Sequence, residues 1–181
     1  MEPTQRRQIL IARMDELEAQ GLDCQGCSGT CCTFEANSMM VTPLEAIELL
    51  SYLRQSNLAD EELKNKCLET VRKFRLDQML STGRGSLLRR TYTCPFFGHR
   101  ELGCPLPKEV KPFGCLAFNS HHAEEKAGGH CYSETNVLVH RESLHPEEPE
   151  QNKKYQSALG LQWEKAPIPV ALLDLWDKEL P

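Results

Sequence analysis

Four thiols fall within nine residues, Cys24-Gln-Gly-Cys27-Ser-Gly-Thr-Cys31-Cys32, and four more follow at Cys94, Cys104, Cys115 and Cys131. A short glycine-containing loop adds little to a hydrophobic core. Its deprotonated sulfurs can instead converge on one soft cation, the common use of cysteine pairs spaced C-x2-C. These eight cysteines are the candidate metal ligands, with zinc or iron, including an iron-sulfur cluster, as the cofactor their softness selects. Eight thiolates would furnish two tetrahedral zinc sites, two four-thiolate clusters, or one site with spare thiols. Neighbouring side chains in extended backbone point to opposite faces, so Cys31 and Cys32 do not serve one metal with equal geometry. One of them could feed a second metal, bridge two, or stand as a reactive thiol.

Other chemistry-bearing residues read more plainly. Cys67, the ninth cysteine, lies on the apolar face of a predicted helix, where a free thiol behaves as a small buried hydrophobe. His121, His122 and His130 read as solvated loop residues, although the imidazole of His130 beside Cys131 could complete a site of three thiolates. Arg72, Lys73, Arg75, Arg84, Arg89 and Arg90 form a basic run before Cys94. It reads as a solvated face, with offsetting the cluster's charge or receiving an anion as its functional use. No Ser-His-Asp order, P-loop or dinucleotide fingerprint is present; Gly83-Arg-Gly85 and Gly128-Gly129 lack the flanking strand and helix.

The C-x2-C-x3-C-C loop, then Thr93-Cys94-Pro-Phe-Phe, Gly103-Cys104-Pro-Leu and Lys111-Pro112-Phe-Gly-Cys115-Leu-Ala-Phe118, together resemble the YkgJ-type cysteine-cluster proteins, described as zinc- or iron-chelating. Four separated elements recur in order over roughly residues 20 to 120. The family's Arg-Pro pair is Lys111-Pro112 here, and Leu116 stands where an Arg usually follows the last shared cysteine. The resemblance implies a metal-chelating domain. A related pattern in flagellin lysine N-methylases implies an alternative, an enzyme of that kind or another iron-sulfur oxidoreductase; the want of a glycine loop for a methyl donor speaks against it.

Helices must deliver these loops. Leu10, Met14 and Leu17 share a face of a helix predicted over residues 4 to 20, with Thr4 to cap it and Gly21 to stop it. Thr42-Pro43-Leu44-Glu45 is a strong start for a second helix, with Leu44, Ile47, Leu50 and Leu53 as its buried stripe to about Gln55. Leu63, Cys67, Val71 and Phe74 mark a third over residues 60 to 80. LLRRTYTC and YSETNVLVH read as short strands, HPEEPEQNKK as a solvated turn, and the stretch after Pro169 as a last helix with Leu172, Leu173 and Trp176 on its apolar side. Residues 94 to 130 carry too many prolines and glycines for regular structure. So long an irregular stretch in a compact domain is expected to be stapled, here by cysteines.

Length and composition bound the rest. With 181 residues, 40% of them hydrophobic, the chain fits one domain, 1–181, with its motif core at about 20–131. A formal net charge of -5 argues against a general nucleic-acid binder and for protein or small-molecule partners. The N-terminal stretch lacks the uninterrupted apolar core of a secretory signal, and no apolar run approaches the ~18 residues that span a bilayer. A cytoplasmic protein without membrane association is expected, in a compartment where clustered cysteines hold metal more often than disulfides. The expected architecture is a small, mainly helical single domain with irregular cysteine-rich loops around a metal centre and room for one short β hairpin.

Overall fold

The computed structural model describes residues 3–22, 29–78, 90–98, 104–120 and 131–181. Cys24, Cys27, His121, His122, His130, Arg84 and Arg89 lie outside them. The predicted first helix is α1 (Pro3–Ala19), and Leu10, Met14 and Leu17 are buried along it, as their spacing requires. The apolar stripe does not account for Arg6 and Arg7, which are buried on the same helix.

A short strand, β1 (Met40–Val41), leads into α2 (Pro43–Gln55). Thr42 Oγ1 accepts from the Glu45 amide at 3.3 Å, and Glu45 Oε2 accepts from the Thr42 amide at 2.9 Å. This reciprocal box, with Pro43 needing no amide partner, fixes the start of the helix at the residue its sequence signature marks. The next helix, α3 (Glu61–Phe74), starts where Asp60 Oδ1 accepts from the Leu63 amide at 2.8 Å, and ends at Arg75 in the left-handed region (φ 52°). Leu63 and Cys67 are its buried residues.

A one-turn helix, α4 (Phe113–Leu116), runs into β2 (Phe118–Ser120), which pairs antiparallel with β3 (Cys131–Ser133). Then come α5 (Thr135–Leu144), α6 (Glu148–Leu159), β4 (Ala166–Pro167) and α7 (Ile168–Leu175). β1 and β4 pair antiparallel, Met40 opposite Pro167 and Val41 opposite Ala166. The larger core lies where α2 and α3 pack on α7, with Leu49, Leu50, Leu53, Cys67, Leu172 and Leu175 all essentially sealed from water. A smaller one joins α1 to α4 and α5 through Leu10, Met14, Phe113 and Leu116.

The mainly helical architecture with two small antiparallel strand pairs agrees with the expectation from sequence, one pair more than expected. Four local expectations are corrected. YSETNVLVH is a strand only to Ser133, opposite Phe118 where β2 begins, and is helical from Thr135. HPEEPEQNKK is not a turn: Pro149 sits in the first turn of α6, where its missing amide costs nothing, and Gly160 stops the helix in the left-handed region (φ 63°). Arg90 to Cys94 carries no strand, and α4 and β2 bring regular structure into the segment expected to have none. Among the described residues no helix is long and apolar enough to cross a membrane.

Candidate metal centre

The two cysteine groups meet through backbone hydrogen bonds. Cys31 and Cys32 sit in a 3-10 turn, Thr30–Cys32, and the Cys94 amide donates to the Cys32 carbonyl at 2.7 Å. On the same line of approach the Tyr92 amide donates to the Asn37 carbonyl at 2.9 Å, Asn37 Nδ2 returns a bond to the Tyr92 carbonyl at 2.9 Å, and the Phe34 amide donates to Thr93 Oγ1 at 3.3 Å. Gly29 allows this docking. Its φ of +74° belongs to the left-handed region, and a Cβ built there would lie 2.3 Å from Cε2 of Phe97, so no other residue fits without moving the ring. Phe97 is itself held in a turn after Cys94, its amide donating to the Cys94 carbonyl at 3.0 Å.

Tyr92 anchors this seam to the larger core. It is sealed from solvent, its hydroxyl donating to the Met39 carbonyl at 2.7 Å and accepting from the Ile168 amide at 3.1 Å. One side chain thus ties together the approach to β1, the start of α7 and the residue two places before Cys94. Both hydroxyl functions are satisfied, so burial costs little, while burial raises its pKa well above the ordinary range and keeps it neutral.

Cys115 is held from the opposite side by charge. Oε1 of Glu45 accepts from the Phe113 amide at 2.8 Å, and Arg7 Nε donates to the Lys111 carbonyl at 2.8 Å, so both ends of the Lys111-Pro112-Phe113 turn are gripped by helices. The Phe113 ring lies beneath two guanidinium groups, 4.8 Å from Cζ of Arg7 and 3.5 Å from that of Arg141. Glu48 takes Arg7 Nη1 at 2.5 Å and also Arg6; Glu148 takes both terminal nitrogens of Arg141; and Arg141 Nε donates to the Arg6 carbonyl at 2.9 Å. Burial pulls the Arg7 guanidinium down to about 10, which leaves it charged at neutral pH. The loop expected to need a metal staple is therefore already fastened here by a buried ion network from α1, α2, α5 and α6.

The thiols act on one another. Cys115 is pushed well above the ordinary thiol range, first by desolvation and then by Cys94, Cys104, Cys31 and Glu45. Cys94 is pushed up to about 12, again first by desolvation, with Cys104, Cys67 and Cys31 as its cysteine neighbours. Cys31 is raised first by its hydrogen bond with Cys32 and then by burial, with the buried Lys111 opposing. Cys31, Cys32, Cys67, Cys94, Cys104 and Cys115 are free thiols. Cys31, Cys94, Cys104 and Cys115 thus share one neighbourhood, with Cys32 beside them, while Cys131 stands on β3 opposite Ser120. Cys67 is core, as expected, pushed up to about 12 by burial, but it is nearer the site than its spacing suggested.

Among the described residues no group of three His, Cys, Asp or Glu side chains is already gathered tightly enough to hold a metal ion. The chemistry of the donor set nevertheless fits a soft metal. Cys94 and Cys115, raised first by burial and then by neighbouring thiols, stay protonated at neutral pH on their own, and a soft cation would replace those protons and offset the charge of the resulting thiolates. Asn37, Glu45, Arg7, Tyr92 and Arg141, which position these thiols, were not anticipated as site residues. The adjacent Arg6-Arg7 pair on a helix whose apolar stripe returns at Leu10 was the available signal for the ion network. The chain matches no protein-family model, no curated protein and no solved structure.

Proposed function

We propose that the chain is a metal-binding protein of the YkgJ-like kind, holding zinc or an iron-sulfur cluster through clustered cysteine thiolates in a structural or redox role. The observation that carries this reading is the shared neighbourhood of Cys31, Cys94, Cys104 and Cys115, drawn from four separate stretches of chain. In this reading Cys31, Cys94, Cys104 and Cys115 donate sulfur, Cys32 is the alternative donor of the first loop, and Lys111 offsets part of the negative charge. Cys24, Cys27 and Cys131 complete the candidate set. Zinc supplies a fixed tetrahedral crosslink and an iron-sulfur cluster supplies one-electron chemistry.

Anaerobic purification followed by elemental analysis and an absorption spectrum tests this directly. Stoichiometric zinc with a colourless protein, or iron and sulfide with broad visible absorption, is the expected result. Substoichiometric metal of every kind, with mass spectra showing native disulfides between the two cysteine groups, would replace it with a disulfide-framed domain.

A further inference from the structure

Beside the thiol seam the surface carries an apolar centre with an unneutralised basic margin. Phe34, two residues after Cys32, is 55% exposed although aromatic, and its ring stacks on Phe74 at the end of α3, with centroids 6.2 Å apart and planes inclined by 27°. Lys73 Nζ lies 5.5 Å from the centre of the Phe74 ring. Arg90 closes the helix end, Nη1 donating to the carbonyls of Phe74 (3.2 Å) and Arg75. Arg72, Lys73 and Arg75 are exposed, and none of them has a salt-bridge partner among the described residues, although the chain carries a net charge of -5.

The backbone that carries Phe34 is held. The Phe34 amide donates to Thr93 Oγ1, so the loop bearing Phe34 is fixed to the segment bearing Cys94. A large aromatic kept half in water at an ordered position forgoes the free energy that its full burial would return. Rigid aromatic anchors inside a charged margin are the layout of protein interfaces, where the apolar centre supplies affinity and the margin selects the partner by charge. A nucleic acid suits the patch less well. The phosphate backbone needs a long track of cations, whereas here Glu35 and Asp77 flank the rings in sequence, and the rest of α3 mixes Glu61, Glu62 and Glu69 with Lys64 and Lys66.

We propose that Phe34 and Phe74, with Lys73 over the Phe74 ring and the exposed Arg72 and Arg75 next to it in the chain, form a docking surface for an acidic segment of a partner protein. The surface is independent of what the thiols bind, but it seats the partner next to Cys31 and Cys32. A full-length chain carrying Phe34→p-benzoylphenylalanine, expressed in its own cells and illuminated, tests it. Mass spectrometry of the crosslinked product is expected to place the attachment in a protein segment rich in Asp and Glu. Adding the charge reversals Lys73→Glu and Arg75→Glu, both at exposed positions, should cut the yield by roughly tenfold while circular dichroism stays that of the parent. Attachment to nucleic acid, attachment to segments without acidic excess, a yield indifferent to the reversals, or no product at all would each overturn the proposal.

Discussion

The α2–α3–α7 core and the turn that carries Cys115 are both buried, but they are held by different physics. The first is apolar: Leu50, Leu53, Leu172 and Leu175 interlock across three helices, and its stability scales with the area removed from water. The second is ionic and directional, with Glu45, Glu48 and Glu148 against Arg6, Arg7 and Arg141 around Phe113. An apolar core tolerates small shifts of its members. A network in which Glu45 Oε1 must meet one amide at 2.8 Å, and Arg7 one carbonyl at 2.8 Å, tolerates few. The region that brings thiols together is therefore the region built with fixed geometry.

The largest expected effect breaks this contrast at its ionic end. Glu48→Gln takes from Arg7 its carboxylate and from Arg6 the nearer of two, Glu148 lying 4.0 Å from Arg6 Nε, and should cost about 3–5 kcal/mol in urea unfolding. Leu172→Ala, a cavity in the apolar core, should cost a similar or slightly smaller amount, about 2–5 kcal/mol. Metal content separates them. Below the unfolding transition Glu48→Gln is expected to lower metal per chain, because it loosens the grip on the Cys115 turn, whereas Leu172→Ala is not. Equal metal content in both would mean that the ion network holds the helices alone.

The same contrast explains what could be read from the sequence. Apolar spacing and capping chemistry are local, so Leu10, Met14, Leu17 and the Thr42–Glu45 box were legible, and the three first helices lie where expected. The cysteines could be read as a candidate set from their spacing, and of the eight the structure places Cys31, Cys94, Cys104 and Cys115 in one neighbourhood. The ion network was not, since its bonds join residues up to 135 positions apart, Arg141 to Arg6, and no periodicity records such a pair. α6 was missed because its sequence is polar on nearly every side and its helix signal is only the placement of Pro149 and Gly160.

Tyr92→Phe sharpens the comparison at the point where the two regions join. Removing the hydroxyl strips a partner from the Met39 carbonyl and the Ile168 amide and should cost about 1–3 kcal/mol. Hydrogen exchange is expected to show faster exchange at both the Ile168 amide and the Cys94 amide; a change confined to one would mean that Tyr92 serves that region only. A smaller loss, about 1–2 kcal/mol, is expected for Gly29→Ala, which puts a Cβ at positive φ and against the Phe97 ring. Its signature should be local, with the Cys94 amide deprotected and the α3–α7 core unchanged.

The smallest effect is the most discriminating, because it sets a sealed cysteine, Cys67, and a half-buried one, Cys115, on opposite sides of the contrast. Cys67 belongs to the apolar core, sealed from water and packed on the face of α3. Cys67→Ala should therefore cost on the order of 1 kcal/mol, the loss of one small buried group, and leave metal per chain unchanged. Cys115 is among the thiols that act on one another, so Cys115→Ala should lower bound metal whatever it does to stability. Cys67 is nonetheless one of the groups acting on Cys94, which makes the comparison a demanding one. If Cys67→Ala stays folded and loses metal, the apolar core reaches into the site and supplies a ligand; if Cys115→Ala keeps its full complement, the grip of the ion network on that turn serves the fold and not the thiols.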